Sequence, residues 1–216
     1  MKYGPIMPKE PDLDSAYALK SPEDNRRLYR AWAETYDAEF VEATGFRFPD
    51  LISRTYVAAG GGWPCLDIGC GTGAVAKALP KDAIIDGIDL SPEMLNVARR
   101  TGCYREVFEA DLMQPLSFEA GIYAGLVSSG TFTHGHVDAS PLPALVDVLI
   151  SGGVAVLSIK PEIWESHGFS ETFESLVGDG LISKPELNEE LVYASPDVAP
   201  TGHAADTGFI VSFKRL

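Results

Sequence analysis

Leu66-Asp67-Ile68-Gly69-Cys70-Gly71-Thr72-Gly73 is the stretch that decides the fold. The apolar run CLDIG, beginning at Cys65, is strand-length, and the helical stretch AVAKAL follows the glycines directly. Glycines at a strand-to-helix junction let the backbone turn sharply and approach a ligand with no Cβ in the way. A tight βα turn that binds nothing would use them too, so the flanking chain must decide between the two.

Downstream, the pattern repeats. IIDGID is a second strand, and Ser91-Pro92-Glu93 opens the helix that carries MLNVARR, with a capping hydroxyl, a proline at the first helical position and an acid in the first turn. REVFEAD and IYAGLVSS are the third and fourth strands. Leu142, Leu145, Val146 and Leu149 recur at helical spacing, Gly152-Gly153 ends that helix, and VAVLSI is an apolar fifth strand. A helix over SETFESLV and two strands, ELVYAS and GFIVSFKRL, complete the chain. Strands that alternate with helices and are apolar nearly throughout specify a parallel sheet covered on both faces. The last two strands, with no helix between them, pair antiparallel. The expected architecture is α/β: a three-layer Rossmann-like sandwich whose mostly parallel seven-stranded sheet has the order 3-2-1-4-5-7-6.

Upstream, Pro5, Pro8 and Pro11 with scattered charges make residues 1–20 a flexible leader. Ser21-Pro22-Glu23-Asp24 opens a helical cap over 21–60, with Pro49 as a second helix start, and 61–216 is the α/β core of a single domain spanning 21–216.

Asp89 closes the second strand 22 residues after Asp67, and Asp111 closes the third 22 residues after Asp89. In open α/β sheets ligands sit at the carboxyl ends of the strands, where these carboxylates lie. Asp89 can accept hydrogen bonds from both hydroxyls of a ribose, although it can equally cap the helix that follows. Leu90 and Met94 offer apolar surface to a base, and Asp111 or its neighbouring backbone can reach an exocyclic amino group.

These motifs resemble those of the class I S-adenosylmethionine-dependent methyltransferases: the glycine stretch itself, then Gly87-Ile88-Asp89-Leu90-Ser91-Pro92-Glu93-Met94-Leu95, then Glu109-Ala110-Asp111-Leu112. Nicotinamide folds usually have an apolar residue at the Asp67 position and a longer Gly-x-Gly-x-x-Gly, and they hold a pyrophosphate on the helix N-terminus, whereas the methyl donor carries no phosphate. The resemblance implies S-adenosyl-L-methionine as cofactor, held by Asp67, Gly69, Gly71, Gly73, Asp89, Leu90, Met94, Ala110, Asp111 and Leu112. Within that family, Tyr29-Arg30-Ala31-Trp32-Ala33-Glu34-Thr35-Tyr36-Asp37 and Gly130-Thr131-Phe132-Thr133-His134-Gly135-His136-Val137 are similar to the methyltransferase-like proteins related to the one from the Williams–Beuren syndrome region, with a further echo at Trp164–Phe169. It further implies that Tyr36, and with it Trp32, closes over the methionine end of the donor, where an aromatic face favours a sulfonium. A helical core stripe accounts for the same pair.

The segment from Ser128 to His134 lies beside the transferring methyl in this fold, which makes Ser128 a donor contact. His134, with His136 beside it, is the candidate general base, since an ordinary imidazole titrates near ~6.5. Loop or helix-cap positions explain both histidines as well. Trp164, His167 and His203 either cover the acceptor pocket or are exposed loop residues.

Composition narrows the partners. A net charge of −14 and no basic cluster oppose nucleic acid and anionic lipid, so the expected acceptor is a small molecule. Asn/Asp-Pro-Pro-Tyr, the signature of enzymes that methylate the exocyclic amino groups of bases, is not the sequence after the fourth strand. Cys65, Cys70 and Cys103 are too few and scattered for a disulfide framework or a zinc cage, so no metal is expected. No apolar run reaches the ~18 residues of a spanning helix, and MKYGPIMPKEPD lacks the apolar core of a secretory signal, so the expectation is a cytoplasmic protein. The alternative to catalysis is a donor-binding regulator or partner subunit, whose cofactor motifs would look the same.

Overall fold

The computed structural model describes residues 33, 35, 36, 40, 41, 43–133 and 137–216. Helix α1 (Phe48–Ala58) starts where the proline signal places it, and buries Phe48, Ile52 and Tyr56 along one face. There follow β1 (Cys65–Ile68), α2 (Ala74–Ala78), β2 (Ile85–Asp89), α3 (Pro92–Thr101), β3 (Glu106–Glu109), β4 (Tyr123–Phe132), α4 (Leu142–Asp147), β5 (Leu149–Ile159), α5 (Phe169–Gly178), β6 (Glu186–Leu191) and β7 (Thr207–Lys214). The leader and most of the helical cap fall outside the described residues.

The seven strands form one sheet in the order β3-β2-β1-β4-β5-β7-β6. Strands β1 to β5 are parallel to their neighbours, and β7 runs antiparallel to both β5 and β6. The strand order reverses between β1 and β4, which opens a crevice at their carboxyl ends.

Alternation along β5 builds a core on each face. Val154 and Val156 pack with Ile52 and Tyr56 of α1 and Val75 of α2, while Ala155, Leu157 and Ile159 pack with Leu142 and Leu145 of α4 and Phe173 of α5. Asp86, almost fully buried within β2, is made tolerable there by a two-pronged ion pair from Arg105 (3.0 and 2.6 Å) and a hydroxyl from Tyr123 (2.9 Å).

Two boundaries differ from the sequence reading. Helix α4 ends at Asp147, and Leu149 begins β5 opposite Tyr123, with Gly152-Gly153 inside an irregular stretch of that strand. Leu149 belongs to the same core as Leu142, Leu145 and Val146, so burial imposed the helical spacing without a continuous helix. Strand β6 begins at Glu186 and ends at Leu191; the apolar run after it, Val192-Tyr193, is buried beyond the ladder. Among the described residues no helix is long and apolar enough to cross a membrane.

Candidate functional site

Strand β1 delivers the chain to the crevice, and the glycine loop turns it there. Gly69 has φ +64° and sits against Thr131, so a Cβ would overlap that hydroxyl. Gly71 also has positive φ, +53°, but a Cβ there would meet nothing within 4 Å, which leaves its backbone open to the cavity. Gly73 precedes α2 and packs on Tyr104 behind the loop.

Asp89, at the end of β2, ties the loop to α3. Its Oδ2 accepts the Gly71 N–H and its Oδ1 the Ser91 N–H, each at 2.8 Å. Ser91 is itself the cap of α3, its Oγ accepting from the Met94 N–H at 3.3 Å. The capping and ligand readings of Asp89 are therefore compatible: a carboxylate oxygen accepts more than one hydrogen bond, so each retains capacity after its backbone donor. Burial pushes the Asp89 carboxyl above its ordinary range, and the N–H groups of Ser91, Gly71 and Leu90 pull it back.

One cavity is lined by Gly69, Cys70, Gly71, Asp89, Leu90 and Met94, and continues along Ala110, Asp111 and Leu112. Asp111 gives one carboxylate oxygen to the Met113 N–H of a turn (2.9 Å). From there the cavity runs past Ser129–Thr133 to Lys160 and Tyr193, with Tyr36, Phe40, Phe46 and Phe48 as a wall of successive ring contacts, 5.2, 5.3 and 5.6 Å between centroids. That wall is closed by the far end of the chain, because Phe46 bridges Tyr193 and the Ala194 N–H donates to the Gly45 carbonyl at 2.9 Å.

Several expected residues stand elsewhere. Asp67 is fully buried behind the loop, where Tyr104 donates to it at 2.7 Å and its other oxygen has no partner. Burial chiefly, and Asp89 to a lesser degree, push its carboxyl up to about 7. Asp67 thus shapes the loop from behind. Ser128 is likewise buried, its hydroxyl donating to the Ile68 carbonyl at 2.8 Å, the same carbonyl that takes Thr131 at 2.9 Å. Ser129, one residue on, lines the cavity, and its buried Oγ has no partner. The side-chain alternation of β4 turns one serine to the core and the next to the cavity. Trp164 does not cover the pocket; it stacks on Phe173 (5.5 Å) and meets Phe209 edge-on, inside the core. His203 bonds Asp206, and His167 does not line the cavity. Trp32, His134 and His136 lie outside the described residues. The Cys70 thiol is pushed up by burial and by Asp89 and Asp67, which keeps it protonated and not a nucleophile. Among the described residues no group of His, Cys, Asp or Glu is arranged to hold a metal.

Comparison with known proteins decides the family. A family model described as a methyltransferase domain matches residues 65–153. Methyltransferase-like protein 27 of Homo sapiens is 30% identical over 153 residues, covering 68% of this chain and 62% of that protein. The chain belongs to the class I S-adenosylmethionine-dependent methyltransferases. The 18S rRNA (guanine-N(7))-methyltransferase of Bos taurus is 34% identical over 113 residues, 46% of this chain and 40% of that protein. The chain spans about three fifths of the length of the human relative and two fifths of the bovine one. Among solved structures, magnesium protoporphyrin IX methyltransferase from Synechocystis PCC 6803, with bound S-adenosylmethionine, superposes with a TM-score of 0.60 at 17% identity, over 92% of this chain and 99% of that one.

The residues at the loop end of the cavity suit that family's cofactor. Asp89 keeps acceptor capacity for hydroxyls, Leu90 and Met94 are apolar, and among the described lining residues the one basic side chain, Lys160, follows β5, on the other side of β4 from the loop, so no cation waits at the loop for a pyrophosphate. Sequence reasoning did not single out Phe46, Lys160 or Tyr193. A cation directly after the all-apolar VAVLSI run was the available signal for Lys160.

Proposed function

We propose that this methyltransferase-family chain transfers the methyl group of S-adenosylmethionine to a small-molecule acceptor. The observation that carries the reading is the continuous cavity, which joins the glycine loop and Asp89 to a largely aromatic chamber beyond β4. When bound, the cofactor supplies a methyl already activated on a sulfonium, so the protein's work is alignment and exclusion of water. In this reading Asp89 accepts from the ribose hydroxyls, Leu90 and Met94 flank the base, and Ala110, Asp111 and Leu112 read its edge. Gly69 and Gly71 let the backbone approach, and Tyr36 closes the methionine end. Trp32 and His134 keep their proposed roles as a second aromatic cover and as general base.

A net charge of −14 supports a small molecule over a polyanion. The bovine relative's printed substrate belongs to a protein matched over less than half of this chain.

S-adenosylhomocysteine at ~100 times its dissociation constant should raise stability by about 2.7 kcal/mol, a midpoint rise of roughly 5–10 °C, where NADH gives none. A metabolite screen read by S-adenosylhomocysteine production then identifies the acceptor. A rise with NADH instead would overturn the assignment, and methyl incorporation into RNA or DNA would overturn the small-molecule reading. Donor binding with no turnover on any metabolite would leave the regulator reading standing.

A further inference from the structure

The two ends of the cavity carry opposite charge. Asp89 and Asp111 stand at the glycine-loop end, and Lys160, directly after β5, is the one basic side chain among the described lining residues. Burying an ammonium is costly unless it is paired, and Lys160, 7% exposed, is paired: its Nζ donates to Asp206 Oδ2 at 3.1 Å. His203 Nδ1 meets the same oxygen at 3.0 Å, and Lys160, Asp206 and His203 together hold the Asp206 carboxyl below its ordinary range. Asp206 and His203 do not line the cavity, so of the three Lys160 alone presents its cationic side chain there.

Two further observations give the chamber a ligand's outline. The Lys160 N–H donates to the Phe132 carbonyl and the Gly130 N–H to Ser158 Oγ, which sets the ends of β4 and β5 side by side at this end of the cavity. Ser129, whose buried Oγ has no partner, is on that same stretch. Opposite stands the ladder of Tyr36, Phe40, Phe46 and Phe48, a surface suited to a flat apolar body.

The geometry points to Lys160 as the residue that selects the acceptor: a small molecule with an apolar, planar body and a carboxylate, the carboxylate pairing with Lys160, the body lying on the aromatic wall and a polar substituent meeting Ser129. This rests on the proposed methyl transfer and names the substrate class of that same site. A charged pair inside a water-poor cavity discriminates strongly against an uncharged isostere, because the isostere leaves the ammonium without its counterpart.

The test is calorimetric binding of three probes to protein saturated with S-adenosylhomocysteine: naphthoate, naphthamide and naphthylmethylamine, substituted at the same ring position. Naphthoate should bind about 10–100-fold more tightly than the amide, as expected for hydrogen bonds to a charged group, and the amine most weakly. Lys160→Met, which keeps the stem and removes the charge, should abolish the preference while S-adenosylhomocysteine affinity stays the same. Should that variant fail to fold, Asp206→Asn, which removes the competing carboxylate, should increase the preference for naphthoate over naphthamide. The proposal is overturned if the amide or amine binds as well as the acid, if none of the three binds at millimolar concentration, if the preference survives in Lys160→Met, or if Asp206→Asn leaves the ratio unchanged. The S-adenosylhomocysteine titration reports separately on the donor site: its failure would sink the methyl-transfer reading, whatever the probes do.

Discussion

Replacing Asp89 by Asn tests the donor site at its most connected residue. The carboxylate receives two backbone N–H groups from opposite directions, Gly71 on Oδ2 and Ser91 on Oδ1, both at 2.8 Å. An amide has one oxygen, so it keeps one of these bonds and turns its NH2 towards the other donor. In the absence of ligand the loss is partly offset, since burial disfavours the charge that the substitution removes. The free protein should therefore fold with a modest change in stability, within about 3 kcal/mol for one charge-assisted bond. Ligand binding has no such offset. Two ribose hydroxyls each lose a bond to a charged acceptor, about 1.5–3 kcal/mol apiece, so S-adenosylhomocysteine affinity should fall by about 10²–10⁴. Isothermal titration measures the affinity, and a urea transition on the same preparation measures the fold. An affinity within about fivefold of wild type, in a protein that is still folded, would show that another group receives the ribose.

Asp67 gives a pH prediction of definite sign. Its folded carboxyl sits near 7 against 3.8 in the unfolded chain, so between those values unfolding releases a proton and stability drops as pH rises. Relative to Asp67→Asn, wild-type stability should fall by up to about 4 kcal/mol from pH 4 to pH 8 in urea titrations, and a flat difference would mean that the buried carboxyl is not titrating. Gly69→Ala should cost about 1–3 kcal/mol in the same assay, because it combines a left-handed backbone with overlap on Thr131; a neutral result would deny that close approach. His134→Gln should cut turnover by ~10²–10⁴ with S-adenosylhomocysteine affinity unchanged if His134 is the base, whereas a small loss with weaker acceptor binding would make it a pocket residue.

The donor half was legible from the chain alone because its signals are local. A strand, glycines and a capped helix in sequence determine where Gly71, Asp89, Leu90 and Met94 stand, and the cavity brings them together. Asp67 and Ser128 misled for one reason: side chains alternate across a strand, and the sequence does not say which of two neighbouring polar residues faces the crevice. The Tyr104 hydroxyl on Asp67 spans 37 residues, and the Lys160–Asp206 pair spans 46, distances over which no periodicity speaks. The α4–β5 boundary escaped because Leu149 is buried with the helix it follows, and apolar spacing reports burial before it reports conformation.

The bridge between Phe46 and Tyr193 has a consequence for how such a protein diversifies. The glycine loop and the strand-end carboxylates lie in one uninterrupted stretch, Gly69 to Leu112, whereas the aromatic chamber is assembled from segments on either side of it in the gene. Drift around residues 40–49 or 192–206 can reshape the chamber while every backbone group that meets the donor stays where it was. Paralogues descended from one ancestor can then part company in what they modify while keeping one methyl source, and the first substitutions to separate them should fall in pairs, one on each flank, since each flank is the other's packing surface.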